Sequence, residues 1–280
     1  MMIAGIQMAV PASGSNLEAM GRAIARTMLL FPDTEMILFS ELAQHGPVPS
    51  NTPSKQVDIE KFLCALALRH GIWLVPGSGY IRKEDALYNH AVVINPKGEI
   101  VGRYNKLFPF LPLETGVESG KNFLMFDVPN RGRFGVSICY DMWFPETTRT
   151  LSSLGVEVLL HPVLTGTTDR KVELAIAQAT AAMFQCYVFD VNGLDAGGIG
   201  RSLVVDPAGV VLHQAGQTEE IFPITIDFDW VRHVRAKGAN GLGQPLKSFR
   251  DRKVEFPAQT AAGASKYLDG LGPLYTIAKS

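Results

Sequence analysis

The feature that most constrains this chain is its alternation of short, β-rich apolar runs with segments of helical periodicity. Residues 3–10 read as a first strand. Asn16 stands where it could cap a helix reaching about Phe31, with Leu17, Met20, Ile24 and Met28 on its apolar face. Residues 36–39 form a short strand ending at Ser40-Glu41. A second helix is expected over 57–70, stopped by Gly71, with Phe62, Ala65, Leu66 and Arg69 in register, then a strand over 72–80. The runs 87–95 and 99–106 flank Pro96-Lys97-Gly98 as a hairpin, and 105–120 is loop-like. Strands over 123–128 and 134–140, a helix over 145–154 and a strand over 156–161 follow. A helix over 170–184, a strand over 186–191, a hairpin of 202–206 with 210–214 and a strand over 221–228 complete the pattern. The last ~45 residues read as an irregular extension. Strands that alternate with helices yet also come in hairpins predict mixed sheets with helices on their outer faces: a layered α/β sandwich.

At 280 residues the chain can bury a large core, and 46% hydrophobic against 19% charged residues is an ordinary globular mix. Lys and Arg number 26 and Asp and Glu 27, with no basic stripe, so nucleic acid is not an expected partner. Cys64, Cys139 and Cys186 are too few, and odd in number, for a disulfide framework, which fits a reducing, cytoplasmic location. The start lacks a basic n-region, and no apolar run reaches the ~18–20 residues of a membrane span, so neither a signal peptide nor a membrane partner is expected.

Three polar residues share one placement, at the end of an apolar β-rich run where a loop begins: Glu41, Lys106 and Cys139. Their chemistry is mutually consistent. A cysteine attacks as thiolate, a carboxylate beside it can remove its proton, and an ammonium can hold a developing oxyanion. A buried lysine needs a carboxylate partner in any case. Taken singly each has a plain alternative: Cys139 a small core residue, Lys106 a solvated lysine, Glu41 a surface or capping residue. Cys64 and Cys186, inside apolar segments, keep the core reading.

The segments around these residues resemble the signatures of the nitrilase superfamily of carbon–nitrogen hydrolases. Phe39-Ser40-Glu41-Leu42 matches the first, with Ser40 where proline is usual. Tyr104-Asn105-Lys106 matches the second, and Gly135 with Cys139-Tyr140-Asp141 and Phe144-Pro145-Glu146 the third. Gln7, Tyr88-Asn89 and Ser202 agree, and the likeness covers about residues 3–230. The resemblance implies a four-layer α-β-β-α sandwich and homodimers or larger assemblies, with no cofactor and no metal. It implies Glu41 as general base, Cys139 as nucleophile, Lys106 as oxyanion donor and the Tyr140 backbone N–H as second donor. A further glutamate after the lysine is matched by Glu114; the alternative is a surface loop carboxylate. Residues 1–256 would form one domain, and 257–280 a C-terminal extension available to another subunit.

Departures narrow the reading. Tyr140-Asp141 after the cysteine resembles the amidase branches rather than nitrilases, which favours a small-molecule amide, hydrolysed through a thioester to acid plus ammonia or amine. Trp143 stands where many amidase-like members carry arginine, so a neutral or aromatic-contacting substrate fits better than one with a carboxylate at that point. Thr180-Ala181-Ala182-Met183-Phe184 replaces a usual Arg-Ala-x-Glu-Asn segment, and residues 242–251 match no signature. Other readings remain: nitrile or N-carbamoyl amide hydrolysis, acyl transfer to another acceptor, a silent binding protein, or a Cys–His hydrolase using His161. The six histidines show no His-x-x-x-His. The glycines at 197, 198 and 200 lack a Gly-Lys-Ser/Thr ending and read as a flexible loop.

Overall fold

The structure, a computed structural model, describes residues 1–49, 52, 56–111 and 113–256. The first part of the chain forms β1 (Met2–Gln7), α1 (Leu17–Leu30), β2 (Thr34–Phe39), α2 (Gln56–His70), β3 (Trp73–Val75), β4 (Ser78–Lys83), β5 (Ala86–Ile94) and β6 (Ile100–Asn105). The second forms β7 (Leu124–Val128), β8 (Gly132–Val136), α3 (Pro145–Ser153), β9 (Val158–Val163), α4 (Arg170–Phe184) and β10 (Tyr187–Asn192). It continues with a short pair, β11 (Leu194–Asp195) and β12 (Gly198–Ile199), then β13 (Leu203–Val205), β14 (Val211–Gln214), β15 (Glu220–Thr225), α5 (Phe228–Lys237) and α6 (Pro245–Arg250).

Two mixed sheets result. One runs β15-β1-β2-β3-β5-β4 with β6 also on β5; the other runs β14-β13-β10-β9-β8-β7. Their central strands are parallel and their outer pairs antiparallel. Period-two alternation sorts the side chains into layers. Ile3, Met36, Leu38, Phe134, Leu160 and Phe189 fill the space between the sheets. The residues between them in sequence face outward, Ala4, Ile37 and Phe39 joining Met20, Ile24, Leu63 and Leu66 of α1 and α2. Leu159 and Val188 likewise join Leu151, Ala177, Ala181 and Phe184 of α3 and α4. Both faces of each central strand are therefore buried, each large side chain contributing roughly 1.5–3 kcal/mol. The α-β-β-α sandwich expected from the sequence is the architecture observed.

Local departures have physical causes. Asn16 does not cap α1; its amide donates to the carbonyls of Ala9 and Ala43 and ties the helix start to two loops. The buried stripe of α2 is Ile59, Leu63, Leu66 and Ala67, which leaves Phe62 partly exposed. The expected strand over 72–80 is broken at Pro76-Gly77, where Gly77 has φ +65° and a Cβ would lie 1.8 Å from the Ser40 carbonyl oxygen. The run through residue 140 stops at Val136 and turns into a 3-10 segment, Cys139–Trp143. The Gly-rich stretch is the paired β11–β12, with Gly200 pressed against the Gln7 side chain. Residues 228–237 are a helix, α5, capped by Asp227 and burying Phe228, Val231 and Val234. Residues 245–250, expected to be irregular, form α6, where Phe249 lies 4.2 Å from the Arg149 guanidinium. The extension read at 257–280 lies outside the described residues.

Candidate active site

The site is assembled at the C-terminal ends of strands from both sheets. Just beyond β2 comes Glu41, just beyond β6 comes Lys106, and three residues past the end of β8 comes Cys139. Lys106 stays in the ladder, its N–H donating to the Asn89 carbonyl at 2.9 Å. Glu41 is fastened to the opposite sheet: its N–H donates to the Val163 carbonyl at 3.2 Å, and its Oε2 accepts from the Leu164 N–H at 3.1 Å.

The Lys106 side chain is 2% exposed, which excludes the solvated reading. Its Nζ lies 2.8 Å from Glu41 Oε1 and 2.7 Å from Glu114 Oε2. Asn89 Nδ2 donates to Glu41 Oε1 and Glu114 Oε1, each at 2.8 Å. Its amide cannot turn over without setting a carbonyl oxygen against two carboxylates. The Phe110 N–H also donates to Glu114 Oε2, at 2.6 Å. Glu114 is thus a buried member of the cluster and not a surface loop residue.

Cys139 closes the group. Its thiol is near enough to Glu41 and Lys106 to feel both charges, and its sulfur lies 3.7 Å from the Thr165 hydroxyl. Its φ is +44°, a left-handed conformation that costs a non-glycine residue on the order of 1–3 kcal/mol and persists only where the surroundings impose it. Asp141 imposes it. Asp141 Oδ2 accepts from the Ile138 N–H at 2.8 Å and from the Tyr104 hydroxyl at 2.6 Å. Its Oδ1 accepts from the Phe108 N–H at 2.8 Å. One carboxylate therefore ties the cysteine turn to residues on both sides of Lys106. Above it, Phe108 stacks on Phe144 and Phe110 meets Tyr140 edge-on.

Electrostatics separate the two glutamates. Burial raises Glu41, with Glu114 adding to it, against the pull of Lys106. Burial acts on Glu114 too, but the Lys106 ammonium and the donors around it outweigh burial and hold Glu114 low. Burial would lower Lys106, yet the two carboxylates overcome it and keep the ammonium charged well above its ordinary range. The Cys139 thiol is pushed well up, first by burial and then by Glu41. The arrangement sets a weakly acidic thiol beside a carboxylate more basic than usual, with a firmly held cation adjoining. Two carboxyl groups with pKa values driven apart are what a division of labour between base and anchor requires.

His161 does not belong to this group chemically. Its Nδ1 is bonded to Ser137 Oγ at 2.8 Å, and burial drives it down to about 4, so it is a neutral core residue. Trp143, in the 3-10 turn, lies 5.9 Å from the Tyr140 ring and near enough to Glu173 to lower its carboxyl. Sequence reasoning gave no role to Asn89, Asp141, Thr165 or Glu173. For Asn89 and Asp141 a signal existed, since both lie inside the matched motifs; for Thr165 and Glu173 none did. Gln7 and Ser202, which it did single out, bond directly: Gln7 Oε1 accepts from the Ser202 N–H at 3.0 Å and Oγ at 2.8 Å, tying β1 to the loop before β13.

The carbon–nitrogen hydrolase family profile matches residues 3–236. The chain is 32% identical over 200 residues to a nitrilase of Pyrococcus abyssi, covering 70% of this chain and 72% of the relative. With the omega-amidase NIT3 of Saccharomyces cerevisiae it shares 26% identity over 251 residues, 80% of this chain and 86% of that one. A 2-oxoglutaramate amidase of Bacillus subtilis is 31% identical over 188 residues, 63% and 70% of the two chains. Among solved structures, a carbon–nitrogen hydrolase from Helicobacter pylori superposes with a TM-score of 0.81 at 22% identity, over 93% of this chain and 98% of that one, a likeness of fold. Yeast Nit3, of the nitrilase superfamily, superposes with a TM-score of 0.75 at 25% identity, over 84% and 93% of the chains. With its motifs, fold and family match in agreement, this chain belongs to the carbon–nitrogen hydrolase family of the nitrilase superfamily, hydrolases of carbon–nitrogen bonds other than peptide bonds.

Proposed function

We propose that the protein hydrolyses a small-molecule amide to the acid and ammonia or an amine through a thioester on Cys139. The observation that carries this reading is the Lys106 ammonium held between two buried carboxylates, with the Cys139 thiol close enough to feel Glu41 and Lys106. Glu41 takes the thiol proton as sulfur adds to the amide carbon, which suits a thiol too weakly acidic to rest as thiolate. The carbonyl oxygen becomes an oxyanion, held by Lys106 Nζ and the Tyr140 N–H. The tetrahedral adduct collapses, the C–N bond breaks, and Glu41 returns its proton to the leaving nitrogen. Water then adds to the thioester, giving one proton to Glu41; the C–S bond breaks and that proton goes back to sulfur. Glu114 keeps Lys106 charged and aimed, and the Trp143 side borders the substrate.

Amide rather than nitrile chemistry is favoured by Tyr140-Asp141 and by the amidases among the relatives. Nitrile hydrolysis is the second reading, since the Pyrococcus relative is a nitrilase. N-carbamoyl amides would use the same residues. The chain is expected to act as a homodimer or larger assembly in a reducing, cytoplasmic setting; its three cysteines are unpaired, and among the described residues no helix is long and apolar enough to cross a membrane. Ammonia release measured over aliphatic, aromatic, ω-dicarboxylic and carbamoyl amides with matching nitriles tests the function. Cys139→Ala should abolish turnover with the far-ultraviolet circular dichroism unchanged; residual activity near the parent level would end the reading.

A further inference from the structure

Thr165, just past the end of β9, has its hydroxyl 3.7 Å from Cys139 Sγ and donates to Glu173 Oε1 at 3.1 Å. Trp143 lies close enough to Glu173 to pull its carboxyl down. A third carboxylate thus sits two hydrogen bonds from the nucleophilic sulfur, in the direction of Thr165 and not of Lys106. Its side chain keeps 12% exposure, as Cys139, Tyr140 and Trp143 keep theirs, while Glu41, Lys106 and Glu114 are fully enclosed.

The charge around Glu173 does not balance. The cation nearest to it, Arg170, belongs to Asp190: its guanidinium meets Asp190 at 2.5 and 3.2 Å and reaches Glu173 only at 3.5 Å. One guanidinium thus faces two carboxylates, and it is committed to the other one. Burial raises the Glu173 carboxyl and Asp190 adds to it, so the ionised form lacks compensation that an incoming cation would supply.

We propose that Glu173 is a specificity-determining residue that accepts a cationic, N–H-bearing group of the substrate, so that the favoured amides carry an ammonium or amidinium a short chain away from the scissile carbonyl. The inference rests on the amide-hydrolase reading of the same site. Thr165 holds one Glu173 oxygen and the long Arg170 contact reaches the other, which leaves the remaining lone pairs for the ligand. A carboxylate placed there would equally repel substrates that end in an anion, the complement of the absent arginine at position 143.

Two measurements test it. The first compares kcat/KM for β-alaninamide, butyramide and succinamic acid, which share one chain and differ in a terminal ammonium, methyl or carboxylate. The expected order is ammonium, methyl, carboxylate, and Glu173→Gln should lower the ammonium-to-methyl ratio about tenfold, as loss of one charge-assisted hydrogen bond does. Glu173→Asp, which keeps the charge, should retain the order. The second does not require turnover: the rates at which bromoethylamine, iodoacetamide and iodoacetate alkylate Cys139, each normalised to glutathione. The parent should favour the cationic reagent and Glu173→Gln should lose that preference. The same charge selectivity in the parent and in Glu173→Gln overturns the proposal. Intact selectivity in alkylation with no ammonia from any amide overturns the hydrolase reading instead and leaves the cation-binding carboxylate standing.

Discussion

Glu41 and Glu114 flank the same ammonium but differ in what their surroundings ask of them, and pH separates them experimentally. A base must be ionised to act, so kcat/KM should be present above the Glu41 pKa and lost below it. Because burial raises that pKa, the acid limb should lie above the ordinary carboxylate value of 4.5. Glu114 contributes to the rise. Glu114→Gln should therefore move the acid limb of whatever activity remains to lower pH; a limb that stays in place removes Glu114 from the electrostatics of the base. Lys106, held well above 10.5, should give no alkaline limb below that pH. Lys106→Ala should cost roughly a hundred- to thousandfold in kcat, the scale of one oxyanion donor. Asp141 works at one remove, as a positioning residue. Asn in its place cannot accept from the Ile138 and Phe108 amides with both side-chain atoms, so Asp141→Asn should lose about 1–3 kcal/mol in urea unfolding. Its kcat should fall more than its KM rises, because the cysteine turn relaxes while the substrate walls remain.

At the scale of elements, the site depends on how strands end. Gly77 divides β3 from β4 so that the chain can pass the Ser40 carbonyl, and a Cβ there would lie 1.8 Å from that oxygen. Gly77→Ala should cost about 3 kcal/mol by thermal unfolding, an effect of backbone strain, and should displace Glu41 enough to cut turnover in the folded fraction. A variant with parental melting temperature and turnover would show that the loop yields freely. Elements whose residues carry their own signal were legible from the sequence. Arg170–Phe184 has helical periodicity, and Pro96-Lys97-Gly98 marks its hairpin. Others were not. The strand expected over 221–228 ends at Thr225, and the residues beyond it form a helix, α5, because Asp227 caps it and Phe228, Val231 and Val234 are buried along one face. Asn16 looked like a cap because capping is a local pattern, whereas the carbonyls it serves are supplied by loops that only the fold brings near. The site divides the same way. Glu41, Lys106 and Cys139 sit in motifs with fixed local neighbours. Thr165 and Glu173 matter only because α4 packs where the cysteine turn ends, which no spacing in the chain encodes.

For the molecule as a whole, stability against acid should follow buried histidines more than the active site. His90 and His161 are both driven down to about 4 by burial, so the unfolded chain takes up protons at these positions near pH 6.5 while the folded chain does not. Their contribution is present above pH 6.5 and is lost as pH falls towards 4. Asp141, raised to about 6, acts with the opposite sign: its stability contribution is full below its unfolded value of 3.8 and is lost as pH rises through 6. His161→Asn should therefore show a smaller fall in urea midpoint between pH 6.5 and 4 than the parent; parallel curves would reject the assignment.

The fastening of Glu41 to Val163 and Leu164 means that base and nucleophile are contributed by different stretches of chain across the seam between two sheets. A cut in the exposed stretch 121–123 would leave the acid, the ammonium and Glu114 on one piece and the thiol, Thr165 and Glu173 on the other, with β15 of the second piece still required to complete the sheet of the first. Neither piece could turn over substrate by itself. Reassembled from separately expressed pieces, the enzyme would report its own docking with a dark background, a ready-made split sensor.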